Sequence, residues 1–392
     1  MYRYTDRETD VFVRDAPTVL AYATLACFTF WLYAFGPAIT LLRAELGFSY
    51  TLLGVYEVVW SAGAALAGLG FAGLARRLAR GPLLWSSALV TVAAAGLFVG
   101  GRGVPSTLAA AGVFGLAGTV LLTVLQAILS DRHGSRRDRA LTEANVGAGA
   151  SAVLAPLLLG VLAASALGWR VTFALPAFAL VVLYLRYRGR PLPAPARDPA
   201  AGRAGPLPPA CWLFAGLTAI SSAIEFCLVY FGPQLLLGLG LSAAAASTAL
   251  SSNLVGILAG RVLGARLTRV PGRGVPLLYV ALALTAAGFA LFWLADRPAV
   301  AVLGLFLCGL GIANLYPLAL ALTLGAAAGR EDQANARTQL LLGLSAAASP
   351  YLLGSLADRY GLTTAFALEP VLIAACLLLL WGGLRARRLG VR

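Results

Sequence analysis

Residues 186–209 constrain this chain more than any other segment, because they divide 392 residues into two apolar stretches of similar length. The segment carries five Arg and seven Pro and has no apolar period. It can neither cross a membrane nor pack as a core, so it predicts a linker. The flanks share landmarks in the same order. Tyr33-Ala34-Phe35-Gly36-Pro37 returns as Val229-Tyr230-Phe231-Gly232-Pro233, an offset of 196 from Gly36 to Gly232. Leu46-Gly47-Phe48-Ser49 returns as Leu239-Gly240-Leu241-Ser242 with an offset of 193. Ala75-Arg76 returns as Ala265-Arg266, offset 190, and Pro156 with Gly160 as Pro350 with Gly354, offset 194. Four matches in order at nearly constant offset predict a tandem repeat.

Composition decides where such a chain resides. At 60% hydrophobic and 12% charged residues it departs from any soluble globule, and its mean hydropathy of +0.84 places it in a lipid bilayer. The net charge of +14 does not imply a nucleic-acid partner, because the basic residues, all Arg, fall in short connections between apolar runs. Cys27, Cys211, Cys227, Cys308 and Cys376 lie in or beside apolar runs without C-x-x-C spacing, which suggests neither a metal site nor a disulfide framework.

Residues 1–17 are polar and of mixed charge, and read as a cytoplasmic tail. Stretches long enough to cross about 30 Å of hydrocarbon follow. They lie near 18–42, 50–75, 82–100, 105–129, 141–165 and 169–187, then 210–237, 243–265, 275–295, 298–324, 334–357 and 363–384. The expected domains are therefore an N-terminal bundle over 18–185, the linker 186–209, a C-terminal bundle over 210–384 and a basic tail 385–392. Arginine tests this parsing independently. With the N-terminus inside, 25 Arg fall on the cytoplasmic side, Arg261 of the eighth span among them, and five fall outside: Arg43, Arg102, Arg170, Arg297 and Arg359. That asymmetry supports the span count and a multi-pass protein of the cytoplasmic membrane with both termini inside.

On these residues the chain resembles the major facilitator superfamily over nearly its whole length. The family's signature, G-x-L-A-D-R-x-G-R-R between helices 2 and 3, is matched by Gly73-Leu74-Ala75-Arg76-Arg77-Leu78-Ala79-Arg80-Gly81, with Arg76 where the family has Asp. Gly73, Arg76, Arg77 and Arg80 are thereby candidates for a conformational loop. The segment 354–361, Gly-Ser-Leu-Ala-Asp-Arg-Tyr-Gly, matches more literally but falls outside, where it reads as a helix terminus. Gly168-Trp169-Arg170 and the Gly147 to Gly160 stretch with Pro156 are also similar to the family, the latter to its exporters. The resemblance implies an all-α membrane protein of two six-helix bundles related by a pseudo-two-fold axis, working by alternating access.

Transport needs a polar path, so the informative residues are polar ones inside spans. Thr218, Ser221, Ser222 and Glu225 fall at i, i+3, i+4 and i+7 of helix 7 and form one face. Glu225 and Glu57 are membrane-embedded acids and the candidates for proton coupling. Helix 4 offers Thr119, Thr123, Gln126 and Ser130, of which Gln126 is the best candidate because hydroxyls bond their own backbone. Tyr22, Thr29 and Tyr33 mark a face of helix 1. Asn253, Asn314 and Gln339 are single amides in helices 8, 10 and 11, fit either for substrate contact or for pinning helices. Trp31, Tyr33, Tyr230 and Tyr316 offer aromatic surfaces for a cation. Glu143 and Asn145 open helix 5, where capping and ion pairing are expected. His133 reads as solvated in a basic loop. Gly256, Gly260 and Gly264, with Ala64, Gly68 and Ala72, have small-xxx-small spacing expected at the contact between halves.

Absences narrow the function. With no lysine there is no Walker G-x-x-x-x-G-K-[ST], so the energy must come from a gradient or a partner; a proton gradient is expected, with no cofactor and no resident metal. Arg261 reads as close to the cytoplasmic end of helix 8, and no span carries a mid-membrane Arg, which disfavours an anionic substrate. The expectation is a monomeric secondary transporter, not an enzyme, exporting a small cationic or neutral organic compound across the bilayer by proton coupling. A proton-coupled importer and a non-transporting sensor or lipid-handling protein are the alternatives.

Overall fold

A computed structural model of the chain describes residues 12–193, 206–268, 272–327 and 329–389. Twelve helices among them are long and apolar enough to cross a membrane. In chain order they are α1 (Ala16–Leu46), α2 (Tyr50–Arg77), α3 (Arg80–Gly100), α4 (Val104–His133), α5 (Arg137–Ala163) and α6 (Ala174–Tyr187), then α7 (Pro209–Gly238), α8 (Ala243–Leu267), α9 (Gly274–Trp293), α10, α11 (Glu331–Tyr360) and α12 (Leu368–Leu389). α10 is broken into Pro298–Ile312 and Leu315–Gly325. A 3-10 turn, Trp169–Phe173, leads into α6, and a short helix, Leu362–Ala365, leads into α12. Half of the expected linker, 194–205, lies outside the described residues, as do 1–11 of the N-terminal tail and 390–392 of the basic C-terminal tail.

The repeat is visible as matched irregularities. Pro37 in α1 and Pro233 in α7 are internal prolines one residue after Gly36 and Gly232, and Pro156 in α5 is matched by Pro350 in α11. An internal Pro removes a backbone hydrogen bond and bends a helix, so the halves bend corresponding helices at corresponding places. With six spans in each half, the described ends of the chain at Phe12, Pro193, Pro206 and Leu389 share one face of the molecule, called here the terminal face.

Each half has its own aromatic core. In the first, Phe35 packs on Trp60, Phe98 and Phe114 at ring separations of 4.7, 5.0 and 6.1 Å. In the second, Phe289, Phe292 and Phe366 contact one another. Trp31, expected as a surface for substrate, belongs to the first core instead: it is fully buried and donates Nε1–H to the Phe173 carbonyl at 3.0 Å. The small residues of α8 also act within one half. A Cβ on Gly256 would lie 2.2 Å from the Phe306 carbonyl oxygen, so glycine is what lets α8 approach α10. The expected role of this stripe between halves is corrected accordingly, and Gly68 of α2 faces open space.

On the terminal face the first half is tied together by charge. Arg14 and Arg139 both pair with Glu143, Arg132 pairs with Asp15, and Arg80 of the conformational loop pairs with Asp131 at 2.9 Å. His133 is not merely solvated: its Nε2 lies 2.8 Å from the Thr18 hydroxyl and its ring stacks on Phe12 at 4.6 Å.

Candidate functional site

A cavity of about 230 Å³ lies between the halves, on the terminal side of mid-membrane. Each wall is one stripe of a helix. α1 supplies Leu25, Phe28, Thr29, Leu32 and Tyr33; α5 supplies Asn145, Ala148, Gly149 and Ala152; α8 supplies Leu254, Ile257, Leu258 and Arg261; and α4 adds Leu122 and Gln126. These are i, i+3, i+4 and i+7 positions, so each helix contributes a single face and keeps its other faces for packing or lipid. Three of the expected cavity residues, Thr29, Tyr33 and Gln126, lie on these walls.

Glu225 stands where the halves meet. Tyr33 of α1 donates its hydroxyl proton to Glu225 Oε1 of α7 at 2.8 Å, the hydrogen bond that joins the two bundles at mid-membrane. A second cross-half acid lies beyond it: Glu57 of α2 is 2% exposed, accepts from Ser61 at 3.0 Å, and is approached by the phenol of Tyr230 from the other half. Each half thus turns a tyrosine of its first helix toward a carboxyl of the other.

Other expected residues lie elsewhere. Thr218, Ser221 and Ser222 do not open into the cavity; they are buried and bond carbonyls of their own helix, Thr218 to Phe214 and both serines to Thr218. A hydroxyl four residues from a free lone pair satisfies itself locally, which converts the apparent stripe into packing. Thr123 does the same with the Thr119 carbonyl. Asn253 and Asn314 donate to the Leu305 and Gly260 carbonyls and pin α8 to α10. Gln339 donates to the Tyr316 hydroxyl within its own half at 3.3 Å. Asn145, expected as a capping residue, instead lines the cavity while its amide donates to the Leu141 carbonyl.

Three buried, cavity-lining or cross-half ionisable residues were not among the expected site residues. Arg261 lines the cavity and lies within electrostatic reach of Tyr33, which corrects the expectation that the path holds no cation. Glu369, in the first turn of α12, is fully buried with neither carboxyl oxygen hydrogen-bonded. A carboxyl at that depth is expensive, and its place inside the apolar span expected at 363–384 was the available signal. Asp358 belongs to the segment read as a helix terminus, yet it accepts the backbone N–H groups of Tyr50 and Thr51, at the start of α2 in the other half, at 2.9 and 2.7 Å.

Around Asp358 the face opposite the termini is closed. Gly354 sits so near the Tyr50 carbonyl that a Cβ would lie 2.3 Å from its oxygen, and a Cβ on Gly160 of α5 would lie 2.0 Å from the Thr248 hydroxyl of α8. Arg43 donates to Gln234 across the halves at 3.2 Å while its guanidinium rests 3.8 Å above the Tyr50 ring. Toward the terminal face α2 and α11 expose Leu66, Leu69, Leu340 and Leu344. The two halves are therefore in close contact on the far face.

Comparison with known proteins agrees with this arrangement. The family model of the Major Facilitator Superfamily matches residues 20–331 and 214–390. No curated protein matches the chain significantly in sequence. Among solved structures, a bacterial homolog to the human lysosomal transporter Spinster, inward-facing and unoccupied, superposes with a TM-score of 0.71 at 16% identity over 98% of each chain. The nucleoside transporter NupG gives 0.71 at 13% identity over 95% of this chain and 98% of its own. The peptide transporter POT in complex with sulfate gives 0.73 at 16% identity over 95% of each. At these identities the likeness carries the fold.

Proposed function

Because the chain belongs to the major facilitator superfamily, we propose that it is a secondary active transporter that moves a small organic compound by rocking its two bundles about the central cavity. The observation that carries this reading is the cavity between the halves, lined by Tyr33, whose hydroxyl bonds Glu225 of the other half. In this reading the terminal face is cytoplasmic, the protein sits in the cytoplasmic membrane, and protons supply the energy. Glu225 is the coupling carboxyl, with Glu57 as its companion, because each meets a tyrosine of the opposite half and so changes partners whenever the halves move. Export is the direction favoured by the exporter-like stretch from Gly147 to Gly160.

Proteoliposomes loaded with a compound panel test the reading. The wild type is expected to accumulate at least one compound under an imposed proton gradient, and Glu225→Gln, isosteric and uncharged, is expected to retain the fold and gradient-free exchange while losing accumulation. Coupled transport by Glu225→Gln at the wild-type level would remove it as the coupling site, and the absence of transport of any compound by the wild type would overturn the reading as a whole.

A further inference from the structure

Resting on that reading, we infer that the cavity takes an amphoteric compound, whose acidic group, carboxylate or phosphate, is held by Arg261 while its basic group faces Glu225. Arg261 continues the α8 stripe of Leu254, Ile257 and Leu258 into the cavity. Among the described residues no carboxylate lies within salt-bridge distance of Arg261. Arg261 is the one Arg among the described residues of the cavity wall, so the absence of a partner leaves that wall with an uncompensated positive charge.

A guanidinium on a cavity wall without a counter-ion is available to an anionic group, and its planar fork matches carboxylate and phosphate oxygens in a bidentate manner. The cavity's negative counterpart is close by but engaged elsewhere: the Tyr33 phenol lies within electrostatic reach of both Glu225 and Arg261 and hydrogen-bonds only the former. The two charges therefore flank one phenol without neutralising each other. A compound with a single positive charge would satisfy Glu225 and be repelled by Arg261. One bearing both charges neutralises each in turn, with Thr29, Gln126 and Asn145 as neutral polar groups on the cavity wall.

The test reads local charge and does not depend on transport. A cysteine at Leu258, on the same stripe, is placed in a Cys27→Ala background, the other four cysteines being buried. Its modification by an anionic and by a cationic methanethiosulfonate is timed in detergent. The anionic reagent is expected to react faster, and Arg261→Gln is expected to lower the anionic-to-cationic rate ratio about tenfold, within the range lost with one charged hydrogen-bonding partner. Arg261→Lys is expected to preserve the ratio and guards against misfolding. Protection of the cysteine then defines the ligand. β-Alanine and phosphoethanolamine are expected to protect at lower concentration than propionate, ethyl phosphate or ethylamine, with the two amphoteric probes separating carboxylate from phosphate. The advantage is expected to vanish in Glu225→Gln. An unchanged rate ratio in Arg261→Gln overturns the inference. So does equal protection by propionate and β-alanine, which would make the cavity a plain anion site. Either failure leaves the transport reading standing, because that reading is tested by accumulation.

Discussion

Asp358 offers the most direct test of how the far face is held shut. α2 begins with four backbone N–H groups that lack intrahelical acceptors. Ser49 caps one, Leu52, and Asp358 of the other half takes Tyr50 and Thr51. A carboxylate at a helix N-terminus is favoured by the dipole as well as by the two bonds. Hydrogen bonds to charged groups contribute about 1.5–3 kcal/mol where solvent is excluded, but Asp358 is exposed, and screening reduces each to about 0.5–1 kcal/mol. Asp358→Ala should therefore cost the far-closed state about 1–2 kcal/mol, shifting the equilibrium about 5- to 30-fold toward the far-open state. Asp358→Asn keeps one acceptor and should shift it less.

Spin labels at Arg102 and Asp296, exposed on the far-face loops of the two halves, report the opening as a longer-distance population in double electron–electron resonance. The expected order of that population is wild type below Asp358→Asn below Asp358→Ala, at equal thermal stability of the bundles. If Asp358→Ala leaves the distance distribution unchanged, the carboxylate only ends α11 and the latch is refuted.

Three further outcomes follow from the packing and charges. Gly160→Leu cannot be accommodated against Thr248 and the Ala244 carbonyl, so the same labels should report a mainly far-open protein; a closed distribution would mean that α5 and α8 separate without cost. Glu369→Leu removes a buried carboxyl that has no hydrogen bond to lose, and should raise the thermal midpoint by a few degrees, roughly 1 kcal/mol of stability; a fall would expose a structural partner. Asp15 caps α1 outside the membrane: burial pushes its carboxyl up, but hydrogen bonds from Thr18 and the Arg132 guanidinium outweigh that and hold it below the ordinary value. A depressed folded value means its stabilisation is present at neutral pH and lost as pH falls through that value. Asp15→Ala should thus lower stability by about 1 kcal/mol at pH 7, with the difference from wild type disappearing only at a pH below the ordinary carboxylate range in paired thermal scans.

The fold was legible because its determinants are local. Span length, the Gly36-Pro37 and Gly232-Pro233 kinks and the Arg-rich connections can each be read within about twenty residues, and they agree with one another. Thr29, Tyr33 and Gln126 were legible for the same reason, since a polar residue on an apolar helix stands out. What the sequence hid depends on partners far along the chain. Asp358 meets Tyr50 some 300 positions away, and nothing near it reports that contact. Arg261 is two turns from the end of α8, where a long side chain ordinarily reaches the headgroups, and only its direction around the helix turns it into the cavity. The hydroxyls of Thr218, Ser221 and Ser222 erred in the opposite sense: their spacing looked like a path, but each found an acceptor on its own helix.

The repeat also shows where symmetry ends and chemistry begins. At the offset of 196 that relates Gly36 to Gly232, Glu225 corresponds to Thr29 and Glu57 to Asn253. Asn253 spends its amide on the Leu305 carbonyl and so holds α8 to α10 inside one half. Glu57, at the matching place on α2, is bonded on its own helix by Ser61 and turned toward Tyr230 of the other half. The same position therefore fastens one bundle internally and links the other outward. Arg261 likewise corresponds to Ala65, so the cavity cation has no counterpart in the first half. A symmetric pair of bundles is enough to rock, but direction and selectivity require that the two do not present the same groups to the cavity. In this chain the departures from symmetry, Glu225, Glu57 and Arg261, are the ionisable residues at or near the central path, which is why the variants that test its function are substitutions of those three.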